Sequence, residues 1–353
     1  MKRIILAAVL CLAMVTPVFA ETSVAWERLT VDQAVEAAIA ASNDLKNYDD
    51  SMISNNESLD TLKEQFQLET DYSRALSLAV QIMQLETQNS QANNNAGLAR
   101  DKLRISVMNM FASIISAQNA LKLTDQTLSI QKRQLDVTKV KYSLGYVSKI
   151  DYDTQTNSYN QKLISRETQN IAIQNAFVSL NRLLGYSLTR QYEVVLDPQA
   201  YTPMGDVNLA GAVSSAVSND ISTINQQGNV DVAEYKQEMY DSDASTDTRE
   251  SVERNLSQAE RNLYETQRSV EQKVVSAYNN IKNQEIQYEN ARLALEALNL
   301  QLPLKVKQAE LGKITKLELD QIYYQIAQQE ETIRSLTVSH AINVMQFNNP
   351  GTL

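Results

Sequence analysis

The stretch that decides the fold occurs twice. Its first copy reads Val140-Lys141-Tyr142-Ser143-Leu144-Gly145-Tyr146-Val147-Ser148-Lys149-Ile150-Asp151-Tyr152-Asp153. Its second reads Lys307-Gln308-Ala309-Glu310-Leu311-Gly312-Lys313-Ile314-Thr315-Lys316-Leu317-Glu318-Leu319-Asp320. At an offset of 167 (312 − 145) they match at Leu, Gly, Val/Ile, Ser/Thr, Lys, Ile/Leu, Asp/Glu and a final Asp. Long glycine-poor sequence flanks both, so each copy reads as the tip of a helical hairpin. A turn needs only the glycine, a common left-handed helix cap. The match runs on past it, which points to a surface specified for a partner. The residues singled out are Leu144, Gly145 and Tyr146 at the first tip, and Leu311, Gly312 and Lys313 at the second.

On the N-terminal side of each tip an apolar residue returns every seven positions. The first series is Val107, Ile114, Leu121, Leu128, Leu135 and Tyr142; the second is Val274, Ile281, Tyr288, Leu295, Leu302 and Ala309. A sustained seven-residue period specifies a left-handed coiled-coil seam. One strong apolar residue per heptad, flanked by Ala117, Thr124, Ala277 and Ala291, makes that seam narrow. On the far side, Tyr152, Tyr159, Ile173 and Leu180 form one return stripe, and Leu319, Ile326, Ile333, His340 and Phe347 the other. Pro303 is expected to kink the second descending helix near Asn299 to Leu302.

The duplication reaches further. Leu29-Thr30-Val31-Asp32-Gln33-Ala34-Val35 opens a helix, with Thr30 and Gln33 spaced as a capping box. Ser42-Asn43-Asp44 recaps the chain, and Val207 to Val213 followed by Ser218-Asn219-Asp220 repeats the pattern. Between the halves, Tyr192-Glu193-Val194-Val195-Leu196, bounded by Pro198 and Pro203, reads as a short crossover strand. The fold class is therefore all-α, two tandem repeats of long antiparallel hairpins. The organisation is 1–20 signal peptide, 21–186 first repeat, 187–206 crossover and 207–353 second repeat. Each half must also reverse at its outer end. In the second half the polar run 241–247 does this. In the first, composition favours 89–97 and symmetry favours 69–73, and we take symmetry.

Composition removes other classes. The 353 residues hold only 8 Gly and 5 Pro, and mean hydropathy is −0.35, which suits elongated helices better than a compact core. Lys2-Arg3, the apolar run 4–15 and Val18-Phe19-Ala20 make a signal peptide, so the protein is exported. The one cysteine, Cys11, lies within it, leaving no thiol or disulfide chemistry beyond. Net charge is −10, or about −12 (−10 − 2) without Lys2 and Arg3, a poor match for nucleic acid. His340, the one histidine, falls in the apolar series and reads as a packed residue. No nucleophile–base set, phosphate loop or metal-ligand spacing is present, so no catalytic, cofactor or metal residues are assigned and no enzyme is expected.

These features together resemble the TolC-like outer membrane efflux family. The resemblance rests on the opening helix with Ser42-Asn43-Asp44-Leu45, the Gly tips with an acidic residue six positions on, the tandem halves and the crossover strand. It spans nearly the whole chain after residue 20. It implies a homotrimer whose twelve helical columns enclose a hollow α-barrel. The tips would meet a periplasmic adaptor (a membrane fusion protein) serving an inner-membrane transporter. Asp151, Asp153, Glu318 and Asp320 would ring the lumen. The family inserts a strand pair in each half to build a membrane barrel; here no ten-residue stretch of alternating polarity is found. The expected place is thus the cell envelope, at an outer membrane by resemblance but soluble or peripheral for want of a barrel. The alternative is an envelope coiled-coil scaffold that carries no flux.

Overall fold

The computed structural model describes residues 27–196, 200–242 and 247–353. The signal-peptide residues 1–20 and Pro198 lie outside them. The first repeat runs β1 (Arg28–Thr30), α1 (Val31–Ala41), α2 (Asn43–Leu68), α3 (Tyr72–Ser143) and α4 (Lys149–Leu183). After β2 (Glu193–Val195) the second runs α5 (Leu209–Asn219), α6 (Ile221–Glu238), α7 (Arg249–Glu310) and α8 (Lys316–Asn348). The chain is all-α, as its periodicity predicts.

Caps set the boundaries. Thr30 and Gln33 close the expected capping box on α1. The first outer turn is Glu69-Thr70-Asp71. The Glu69 carboxylate accepts from the Thr70 and Asp71 amides, and Asp71 caps α3 through the Arg74 amide at 2.9 Å. Symmetry thus located the turn, and 89–97 lies inside α3. The amide-rich run stays helical because its side chains bond to α6 rather than to their own backbone. Gln91 donates to the Asn225 carbonyl (3.0 Å) and to Asn229 (2.9 Å), and Asn225 donates to Asn95 (3.0 Å). In the second half, part of the expected turn (243–246) lies outside the described residues. Helix α7 continues through Pro303, absorbing the single ladder bond that proline cannot give.

At 72 residues α3 is about 108 Å long. It is the spine: α1, α2, α4, α6 and α8 all pack on it. Towards the tips the helices lie in the order α4–α3–α8–α7; towards the other end, α2–α3–α6–α7. Helix α7 thus stands at one edge and α2 and α4 at the other. The seam is narrow, as the heptads indicate. Val107, Ile114, Leu128, Val274 and Ile281 are buried, whereas Leu121, Leu135, Tyr288, Leu295 and Leu302 are only half-buried. Thr124 and Ala291, equivalent at the 167 offset, are both buried, as small residues are where helices approach closely.

The densest core lies at mid-length, around Phe111, Val107, Ile114, Leu180, Ala34 and Ala38. The two strands cover it. They pair in parallel, Arg28 with Glu193 through Thr30 with Val195. β2 was legible in the sequence; β1 was not, because its three residues run straight into the cap of α1. Fully buried Asn181 donates to the carbonyls of Leu188 (3.2 Å) and Arg190 (2.9 Å), holding the chain that leads into β2.

Beyond β2 the crossover is clamped onto the second repeat. Glu285 accepts from the Met204 amide (2.7 Å) and from Lys282 Nζ (2.8 Å), and Lys282 also donates to the Gly205 carbonyl. Buried His340 sits 3.4 Å from Glu285, and Tyr201 stacks on Tyr288. His340 is therefore a packed seam residue, as read from the sequence. Burial pushes the Glu285 carboxyl up, but Lys282, the Met204 amide and His340 outweigh it and hold it below the ordinary carboxylate value. A depressed folded pKa stabilises above the unfolded value and is lost as pH falls through the folded one. Glu285→Gln is expected to cost about 1–3 kcal/mol at neutral pH. In denaturation at pH 7 and below pH 4, the gap from the parent protein should shrink in acid. An unchanged gap would remove Glu285 from the clamp.

Candidate functional site

The two tips are built alike. At the first, Leu144 ends α3 and Gly145 takes φ +78°; at the second, Leu311 ends α7 and Gly312 takes φ +68°. Tyr146 N–H reaches back to the Lys141 carbonyl at 2.8 Å and Gly145 N–H to that of Tyr142 at 3.0 Å. Lys313 to Gln308 and Gly312 to Ala309 repeat this at 2.8 and 3.0 Å. Both are Schellman turns, whose left-handed position is natural to glycine. Ser148 and Thr315 then cap α4 and α8 through the amides of Asp151 and Glu318.

Both tips lie at the same end of the molecule, since Arg133 of α3 pairs with Asp320 of α8 just behind them. Leu144, Tyr146, Ile150 and Leu311 all face solvent, Tyr146 with 79% of its surface open. The tips are not interchangeable. Tyr146 corresponds to Lys313 and Ile150 to Leu317, so the first tip presents the more apolar surface. Behind it the Tyr142 and Tyr152 rings stack at 5.2 Å, where the second has Ala309 and Leu319.

Each of the four acidic residues has a partner, and for three of them it is local. Asp151 accepts from the Ser148 hydroxyl (2.7 Å) and Glu318 from the Thr315 amide (2.7 Å). The Thr315 amide and hydroxyl, with Lys305, hold the Glu318 carboxyl below its usual range. Asp153 pairs with Lys149 at 2.6 Å one turn away, and the hydrogen bond to Asp153 raises the lysine's pKa. Asp320 pairs across helices with Arg133. Asp151 and Glu318 remain exposed at the tips, whereas Asp153 and Asp320 lie behind them, half-buried.

The sequence reading missed the Gln91, Asn94, Asn95 and Asn225 cluster. A signal for it existed: Gln91 and Asn95 recur as Gln258 and Asn262 at the 167 offset.

No protein-family model matches the sequence, and no curated protein matches it. Solved structures do match in shape. A membrane protein from Pseudomonas aeruginosa superposes with TM-score 0.65 at 13% identity, over 90% of this chain and 89% of that one. The Vibrio cholerae outer membrane protein VceC gives 0.62 at 9%, over 90% and 95%. The Campylobacter jejuni CmeC outer membrane channel gives 0.62 at 10%, over 91% and 85%. With its duplicated hairpins and parallel strand pair, the chain has the fold of the TolC-like outer membrane channels.

Proposed function

We propose that this chain is a conduit component of an efflux or secretion system in the cell envelope, acting without chemistry of its own. Three copies close into a hollow helical ring, and the tips dock a periplasmic-type adaptor that serves an inner-membrane transporter. The observation that carries this reading is the pair of equivalent tips. They share one end, one turn geometry and exposed apolar residues where a simple connection needs none. Leu144, Gly145, Tyr146, Leu311, Gly312 and Lys313 form the docking surface. Asp151 and Glu318, held at the first turns of α4 and α8, supply the acidic ring, with Asp153 and Asp320 behind them.

Only Glu69-Thr70-Asp71 joins α2 to α3, too short a link for a strand pair. No helix among the described residues is long and apolar enough to cross a membrane. The length of this link supports a soluble or peripheral place in the envelope. The mass of the full chain in solution, with particle images, tests the ring. Trimeric rings are expected, and a strict monomer at high concentration, adaptor present, would sink the conduit. For the tips, Gly145→Val with Gly312→Val is expected to abolish adaptor binding while helix content by circular dichroism stays nearly constant. Binding at parental strength would reduce the tips to plain turns.

A further inference from the structure

The net charge of −10 hides a polarity along the rod. Residues 130–153 and 297–320, the arms that lead into and out of the tips, carry nine basic and six acidic side chains, net +3 (9 − 6). Towards the other end, residues 43–92, 221–242 and 247–262 carry seven basic and seventeen acidic ones, net −10 (7 − 17). Helix α3 is about 108 Å long, many times the Debye length of about 8 Å at physiological salt, so each end acts on its surroundings by itself.

Five of the six carboxylates at the tip end are already engaged. Asp151 and Glu318 bond to the caps of their own helices, Asp153 and Glu310 pair with lysines one turn away, and Asp320 pairs with Arg133. By contrast Lys139, Lys141, Lys313 and Lys316 are exposed and form no ion pair among the described residues. Among them stand Val140, Leu144, Tyr146, Ile150 and Leu311, open to solvent by 58 to 79%.

The kind of cation indicates what this surface meets. Eight of the nine are lysines, and the one arginine, Arg133, is held by Asp320 behind the tips. In the rest of the described chain arginine outnumbers lysine, 13 to 8. Arginine is the cation of protein interfaces, where its planar fork binds carboxylates, and lysine is depleted there. Lysine keeps its ammonium hydrated while its methylene stem lies along apolar groups, which suits a layer of lipid headgroups. Exposed tyrosine, leucine and isoleucine among lysines complete the chemistry of an element that rests on an anionic bilayer.

We propose that the two tips seat on an anionic phospholipid surface. Their lysines meet the phosphates, and Leu144, Tyr146, Ile150 and Leu311 enter the boundary of the acyl chains. The same surface repels the acidic end, so the rod stands end-on. This goes beyond the conduit reading. It needs neither ring nor adaptor, and it gives the tips a second occupant that an adaptor must displace.

The test uses the protein purified from the cell envelope, with vesicles of phosphatidylcholine alone or mixed with phosphatidylglycerol. Binding to the mixed vesicles in sedimentation is expected to be at least about tenfold stronger. Raising salt from about 0.01 to about 1 M shortens the Debye length from about 30 to about 3 Å and should remove most of the difference. Lys139→Glu with Lys141→Glu, Lys313→Glu and Lys316→Glu should abolish it with helix content intact, whereas Lys→Arg at the same four positions should keep it. In a Cys11→Ser background, an environment-sensitive dye on Ser143→Cys should brighten on the mixed vesicles, and the same dye on Gln67→Cys should not. Equal binding to both vesicles, binding by the Lys→Glu variant or brightening at 67 would overturn the proposal. So would absence of vesicle binding with adaptor binding lost in the Lys→Glu variant, which would assign the lysines to an acidic adaptor and leave the conduit standing. A strict monomer that still binds the mixed vesicles by its tips would overturn the conduit alone.

Discussion

Replacing Phe111 by alanine is expected to lower stability by about 3–5 kcal/mol, the usual cost of removing a buried aromatic ring. Phe111 has no exposed surface and packs with Val107, Ile114, Leu180, Ala34 and Ala38, where α1, α3 and α4 meet beneath the strand pair. A second cluster gathers Val270, Val274, Ile281 and Phe347 on the other repeat, and away from these two the helices touch along narrow seams with half-buried residues. A domain of ordinary stability, roughly 5–15 kcal/mol, loses a large share of it. Leu121→Ala, at a half-buried heptad position about three turns on, serves as the comparison and should cost clearly less. Urea unfolding followed by circular dichroism reads both. A Phe111→Ala loss no greater than that of Leu121→Ala would refute the view that the core is concentrated at mid-length.

Gly185→Ala is expected to cost about 2–5 kcal/mol, from two additive sources. Gly185 ends α4 at φ +68°, where a side chain costs about 1–2 kcal/mol. A Cβ there would also stand 2.8 Å from the Cβ of Ala41, at the end of α1. Neither atom is the tip of a flexible chain, so backbone must move, an overpacking cost of about 1–3 kcal/mol. Gly145→Ala separates the terms. It has the same sign of φ but open space around it, so only the conformational cost applies. Equal losses for the two variants would show that α1 and α4 yield freely at their contact.

How much of this was legible depended on whether a residue's partner was local. The tips were readable because a Schellman turn and the next helix cap are written within a dozen consecutive residues, and written twice. The heptads gave the helices and the narrowness of the seam. The turn at Glu69-Thr70-Asp71 was harder, because Asn93-Asn94-Asn95-Ala96-Gly97 is better turn material by composition. Those amides look to α6, more than a hundred residues away, and no local pattern reveals that. Arg133 and Asp320 were unreadable as a pair for the same reason. The four acidic residues were singled out only through the family resemblance, and their capping and pairing partners were not part of that reading.

The two repeats are unequal at the end away from the tips. Measured from the glycines, α3 begins at 72 and α7 at a position equivalent to 82 (249 − 167), and α2 spans 26 residues against 18 for α6. In the ring proposed above, the far rim is then a crown rather than a flat lip. Three taller posts rise about 15 Å above three lower ones on the α3 and α7 side. Whatever rests on such a rim would meet threefold rather than sixfold symmetry.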